Sequence, residues 1–208
     1  MKKTSKRGLP GFIKATAITF FLGGLGLLVT GGYMQAKAHF AQFLIESAWQ
    51  KTLDDSEYHK PWSWADTYPV AKLHFERQQG SDQELYVLAG ASGRNLAFGP
   101  AAMLVDNEIN VWGNTVIAGH RDSHFSLLKY VKPGDIIAVE SADAQQMKYK
   151  IVTTEILHQS HIRFAANDDL MLTLVTCYPF ESINPDTQYR LVVTAYPMTS
   201  DGHYSISA

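Results

Sequence analysis

Cys177 is the only cysteine in a chain of 208 residues. An internal disulfide is therefore impossible and a cysteine-rich zinc site is excluded. A lone thiol is either a small buried hydrophobe or a nucleophile. Its position favours the second. Across residues 170–177 (LMLTLVTC), Leu170, Leu172 and Leu174 share one face. Met171, Thr173, Val175 and Cys177 share the other, because side chains alternate along a strand. Tyr178-Pro179 ends the strand, since proline offers no ladder donor. The thiol thus sits at a strand terminus, off the leucine face. Such a nucleophile needs a base or acid nearby and a donor for the oxyanion it creates.

Two other residues can supply these. His120 follows Gly119 at the end of the apolar stretch 115–119 and begins Gly-His-Arg-Asp-Ser-His. Arg190 lies in the stretch 188–196 (QYRLVVTAY). If the two stretches pair antiparallel through the even-numbered segment 178–187, Arg190 faces Val175, with Cys177 as its diagonal neighbour on the same surface. Asp122, two residues past His120, is a candidate to orient the imidazole, and Thr176 and Tyr178 are candidates to shape an oxyanion site through backbone N–H groups. His120/His124 and His158/His161 have spacings that could hold zinc on a helix, but no third ligand accompanies either pair. No metal or other cofactor is expected. Calcium at Asp168-Asp169 is conceivable, although that pair reads equally as a solvated turn.

The elements that must bring these residues together are short strands. Candidates are 70–75, 84–90, 115–119, 135–140, 147–157, 170–177 and 188–196, rich in β-branched and aromatic residues and bounded by turn chemistry such as Pro133-Gly134-Asp135. Residues 95–104 hold a short helix or a further strand, and 123–131 a loop with one helical turn. Seven or eight strands without long helices between them predict a closed or nearly closed barrel.

Ahead of the strands the pattern is different. Residues 15–36 carry no charge, and their apolar part from Ala15 to Met34 reaches about 30 Å as a helix, the thickness of a bilayer core. The first 37 residues hold six of the 18 basic residues and none of the 20 acidic ones. By the positive-inside rule the N-terminus is cytoplasmic and the rest is exported. The run is longer than a signal-peptide core of about 7–15 residues, which favours an uncleaved anchor. A leader cleaved at Ala36-Lys37-Ala38 is the alternative, and it places the body outside the cytoplasm as well. Beyond residue 37, 12 basic residues face 20 acidic ones, a net −8 that argues against a nucleic-acid partner. With 46% hydrophobic and 18% charged residues the chain is not disordered.

The expected organisation is a basic tail (1–14), a transmembrane anchor (15–36), a helical and extended membrane-proximal segment (37–69), a catalytic β-domain (70–198) and a polar tail (199–208). Within 38–53, apolar residues at 40, 43, 44, 48 and 49 give a helical period. The charges at 54–57 stop that helix. Trp62 and Trp64 are expected to pack on the domain they precede.

Taken together, these residues resemble the sortases, membrane-anchored cysteine transpeptidases. Thr173-Leu174-Val175-Thr176-Cys177 is similar to their T-L-x-T-C signature. Gly119-His120 resembles their histidine site, and Arg190, thirteen residues after the cysteine, their arginine. The order of anchor, histidine, cysteine and arginine agrees, and the resemblance extends over 70–198. Trp62-Ser63-Trp64-Ala65-Asp66-Thr67, Pro69-Val70-Ala71 and Gly-His-Arg-Asp further resemble a subgroup of Gram-negative proteobacteria, whose acceptor is not the Gram-positive cell-wall amine by default.

The resemblance implies an eight-stranded barrel and a protein substrate bearing an L-P-x-T-G-like sorting signal. It implies attack by Cys177 on the Thr–Gly carbonyl, protonation of the leaving amine by His120 and oxyanion stabilisation by Arg190. A thioester would then pass to an amine acceptor at the cell envelope. Two other functions fit the residues: an anchored thiol peptidase whose acyl-enzyme goes only to water, and a non-catalytic binding domain indifferent to loss of Cys177.

Overall fold

A computed structural model describes residues 11–76, 83–103, 109–164, 170–184 and 186–198. The basic residues at the extreme N-terminus, the Asp168-Asp169 pair and the tail 199–208 lie outside the described residues. The chain divides into two compact units, residues 1–41 and 42–208. A helix, α1 (Gly11–Asp55), contributes to both.

In the first unit the helix is apolar and exposed, with a mean hydropathy of 1.9 over its best window, long enough to cross a membrane. Its threonine hydroxyls bond back to the helix itself. The hydroxyls of Thr16, Thr19 and Thr30 donate to the carbonyls of Phe12, Ala15 and Gly26 at 2.9, 3.1 and 2.8 Å. This back-bonding suits a helix in lipid, where no water is on hand to take an orphaned donor.

The second unit is a closed barrel of eight strands: β1 (Pro69–Glu76), β2 (Gln83–Ala89), β3 (Ala101–Ala102), β4 (Asn114–Ala118), β5 (Ile136–Ser141), β6 (Gln146–His158), β7 (Met171–Tyr178) and β8 (Tyr189–Pro197). Around the barrel the order is β1-β2-β3-β4-β7-β8-β6-β5. The β2–β3 and β4–β7 pairs are parallel and the others antiparallel. The stretch 95–104, expected to hold a helix or a strand, straddles the end of one and the whole of the other. A one-turn helix, α2 (Gly93–Leu96), is capped by the Ser92 hydroxyl accepting from the Asn95 N–H, and β3 follows it. The interior is filled by alternate residues of the strands, among them Leu73, Val87, Ile117, Ile137, Val139, Ile151, Leu172, Leu174 and Val193. One end is plugged by Phe125, Leu127 and Leu128 from a 3-10 turn at Ser126–Tyr130 and the residue before it.

Outside the barrel, the last turns of α1 cover β2 and β3. Ile45 packs with Leu88 and Ala101, and Trp62 and Phe98 close over them. Gln42 Nε2 donates to the Phe98 carbonyl at 2.6 Å. Burial here, followed by the charge of Glu46, pushes the Tyr86 phenol up to about 12. The buried stripe of this helical segment is Ile45, Ala48, Trp49 and Thr52, while Phe43 is exposed. Of the apolar positions that gave the helical period, 48 and 49 lie on this stripe and 43 does not. Small Ala48 and Thr52 let the helix backbone approach the sheet, which a face carrying Phe43 would prevent. Trp62 packs as expected. Trp64 does not: it leans on Trp62 with ring centroids 5.4 Å apart and is 75% exposed.

Candidate active site

The barrel rim at the C-terminal ends of β4 and β7 gathers the residues singled out by type. On β7, Leu172, Leu174 and Thr176 alternate with Thr173, Val175 and Cys177. The first two fill the interior, whereas Val175 belongs to a separate apolar cluster with Val116 and Val192. Cys177 therefore ends the outer face, half-buried rather than entombed. Leu170, counted with the core face from its spacing, precedes β7 and is only partly buried.

β8 pairs with β7 so that Cys177 lies directly opposite Arg190 and Val175 opposite Val192. The face is the expected one, but the register differs by two residues from the diagonal arrangement. The strands extend to the pair Tyr178–Tyr189, so the connection is even-numbered as required but begins later. A direct cross-strand partner is closer than a diagonal one, which brings the guanidinium stem nearer the thiol.

His120 is set by the parallel ladder of β4 on β7. Val116 pairs with Thr173 and Ala118 with Val175, and the Gly119 N–H continues the ladder to the Val175 carbonyl at 3.1 Å. The ladder ends there, and His120 follows Gly119 directly, past the end of β4. Glycine at 119 is a spatial necessity: a Cβ there would lie 2.6 Å from the ring of Phe125. The Thr176 hydroxyl donates to the Gly119 carbonyl at 2.8 Å. Thr176 is 2% exposed, so its side chain ties the cysteine strand to the histidine strand end rather than facing a substrate. Tyr178 is half-buried with its ring edge-on to Phe180.

Asp122 is exposed, and among the described residues no hydrogen bond joins it to His120, so it does not orient the imidazole here. Residues 121–125 form turns rather than a helix, which removes the helical geometry assumed for a His120/His124 pair. Burial, and then the charge of His120, lowers the pKa of His124, whose Nδ1 is buried without a hydrogen-bond partner. The His158 and His161 rings are tilted by 56° with centroids 5.8 Å apart, and both ring nitrogens of His158 are engaged by Ser160 and Gln188.

Sequence reasoning missed the residues that hold Arg190 in place. Its Nη1 donates to the carbonyls of Thr187 and Tyr189, the latter at 2.9 Å, and its Nη2 to Gln159 Oε1 at 3.0 Å. Gln159 is itself tied to the start of β8 by its N–H, which donates to the Gln188 carbonyl at 2.8 Å. These partners come from two loops, and no periodic signal marks them.

At the end of β7 away from Cys177, the outer face of β4, β7 and β8 carries a groove of about 280 Å³, bounded by Asn114 and Met171, the first residues of β4 and β7. Thr173, Val192 and Thr194 lie in its floor, and Leu157, Ile162 and Phe164 are among its walls. Between this groove and Cys177 the same face carries the apolar cluster of Val116, Val175 and Val192, on which an extended chain can lie. The arrangement can therefore hold a peptide and present one of its carbonyls to a nucleophile.

The family model described as the sortase domain matches residues 79–198. Among solved structures the chain is similar to sortase A from Corynebacterium diphtheriae, at 18% identity and a TM-score of 0.56, covering 76% of this chain and 84% of that one. A Clostridium perfringens sortase D5 transpeptidase is 21% identical with a TM-score of 0.55, covering 74% and 89%. The catalytic domain of B. anthracis SrtD is 28% identical with a TM-score of 0.52, covering 63% and 88%. A search of curated proteins gives no match.

Proposed function

This chain belongs to the sortase family, and from that premise we propose that it is a membrane-anchored cysteine transpeptidase acting on proteins with an L-P-x-T-G-like sorting signal. The observation that carries the reading is the register of β7. Its last outward residue, Cys177, has Arg190 as its direct cross-strand partner, and the other neighbouring strand, β4, in register with β7 up to the pair Ala118–Val175, leads through Gly119 into His120.

The chemistry follows from that arrangement. Cys177 Sγ, as thiolate, adds to the carbonyl carbon between Thr and Gly of the signal. The carbonyl oxygen becomes an oxyanion, toward which Arg190 directs guanidinium N–H. The C–N bond breaks, and the leaving amine takes a proton from the His120 imidazolium. The product is a thioester on Cys177 and a free Gly-terminated fragment. An amine acceptor then adds to the thioester and gives a proton to His120, and Cys177 departs as thiolate. A new amide bond replaces the old one, so no external oxidant, reductant or energy source is needed.

The apolar helix of the first unit would serve as the anchor, with the basic N-terminus cytoplasmic and the barrel extracytoplasmic. In a Gram-negative cell that compartment is the periplasm.

The test uses the full chain in detergent micelles, incubated with a library of L-P-x-T-G-like peptides and read by mass spectrometry. Expected is a hydroxylamine-sensitive thioester on Cys177, formed by at least one peptide and abolished in Cys177→Ala. With a small primary amine present, the acyl fragment should appear as its amide. Release of acid only would make the protein a hydrolase, and absence of any adduct from folded protein would remove the enzyme reading.

A further inference from the structure

Arg121, next to the histidine, is 9% exposed, although arginine is rarely buried without a carboxylate partner. Here its partners are neutral oxygens of the segment joining β7 to β8. Nη2 donates to the carbonyls of Ser182 and Asn184, each at 2.7 Å, and Nη1 to the Thr187 hydroxyl at 3.2 Å. Thr187 in turn presents its carbonyl to Arg190. Thr187 thus links the residue beside His120, through its hydroxyl, to the guanidinium of Arg190, through its carbonyl, and Arg190 is the cross-strand partner of Cys177.

We infer that Arg121 is a positioning residue that sets the Arg190 guanidinium against Cys177 by clamping the β7–β8 connection to the histidine turn. The physical case rests on geometry and charge. Only a planar fork of fixed N–H groups can reach two carbonyls and a hydroxyl at once, and a lysine ammonium at the same place cannot reproduce that span. Charge-assisted hydrogen bonds in a buried setting resist exchange with water. Among the described residues, the connection's other ties lie near its two ends: Phe180 packs on the core and Glu181 pairs with Lys129 at the start, and Gln188 bonds the Gln159 N–H and His158 Nε2 at the finish. Without the fork, Thr187 and the carbonyl it offers Arg190 are free to move. A displacement of about 1 Å at a group that meets a transition-state charge is enough to cost about a hundredfold in rate. The inference deepens the transpeptidase reading, on which its kinetic arm rests.

The test uses the full chain in detergent. In Arg121→Lys, amide exchange at residues 182–188 should rise about tenfold or more while the amides of β4 and β7 are unaffected. Turnover in peptide acyl transfer should fall in kcat by about ten- to a hundredfold, with KM for the peptide within about twofold. Thr187→Val should lower kcat in the same direction, and Thr187→Ser, which keeps the hydroxyl, should restore it. The Arg121→Lys/Thr187→Val double variant should be no slower than the slower single variant, because both break one linkage.

Unchanged exchange overturns the inference. So does a kcat per folded molecule equal to wild type, or losses that multiply in the double variant, since a purely scaffolding arginine would behave that way. If wild type transfers no acyl group, the transpeptidase reading falls, and the inference is decided on Arg190 itself. Phenylglyoxal should then modify Arg190 several times faster in Arg121→Lys, and an equal rate overturns it.

Discussion

Two outer faces of one barrel carry similar apolar surfaces and meet different fates. On the β2–β3 side, Leu88 and Ala101 are covered by the chain's own Ile45 and by Trp62 and Phe98. On the β4–β7–β8 side, Val116, Val175 and Val192 have Leu157 and Ile162 beside them; a groove opens near the start of β7, and Cys177 stands at the other end of the strand. A closed barrel already has a full interior, so apolar residues on its outside require a cover. Where the chain supplies that cover, the face stabilises the fold. Where the chain leaves the face open on the strand that carries Cys177, the proposed function makes the cover a substrate.

The sharpest way to separate the faces is to disable each at its centre. Cys177→Ala should abolish acyl transfer to below detection while shifting stability by no more than about 0.5 kcal/mol, because the thiol is half-buried at a strand end. Calorimetry and peptide turnover together check this, and residual thioester formation would break the contrast. Trp49→Ala on the covered side should do the opposite. Trp49 is fully buried, and its loss should cost about 3–5 kcal/mol in denaturant unfolding with kcat per folded molecule unchanged. A selective loss of turnover would mean that the covered face also serves the reaction.

A milder change sharpens the groove side. Val192→Thr keeps shape and adds a hydroxyl to the floor, so KM for the peptide should rise about three- to tenfold. The stability loss should stay near about 1 kcal/mol. An unchanged KM would mean that the peptide does not lie on the valines.

The smallest expected effect is a pH dependence confined to the site side. The pKa of His124 is lowered in the folded protein, so the unfolded chain binds the proton more readily. The neutral ring stabilises the fold fully above its ordinary value of 6.5, and that contribution is lost as pH falls through the lower folded value. His124→Gln should therefore flatten the acid limb of stability below pH 6.5, measured as denaturant midpoints, and an unaltered limb would contradict the burial argument.

Much of this contrast was legible in the sequence, for stated reasons. Strand alternation put Cys177 off the leucine face, and the even-numbered connection put Arg190 on the same surface. The register was not legible. Parity selects a face, but only the pairing of Tyr178 with Tyr189 selects which residue stands opposite the thiol. The helical period of 38–53 was readable and its buried face was not. Phe40 and Phe43 dominate the hydrophobic count, yet close approach to a sheet favours Ala48 and Thr52. Trp62 and Trp64 look equivalent in an aperiodic segment, and only one finds a pocket. Arg121 entered only as part of the Gly-His-Arg-Asp resemblance, and its contacts were not legible, because its three partners lie 61 to 66 residues downstream in a loop.

Gly119 turns one atom's absence into a gate on divergence. With the Phe125 ring 2.6 Å from where a methyl would stand, even alanine would force apart the plug of the barrel and the turn that presents the imidazole. Any descendant with a side chain at this position must also have cut back the aromatic ring or surrendered the histidine's alignment. Substitutions at 119 and 125 should therefore arise together, as a coupled pair, in variants selected to keep the reaction.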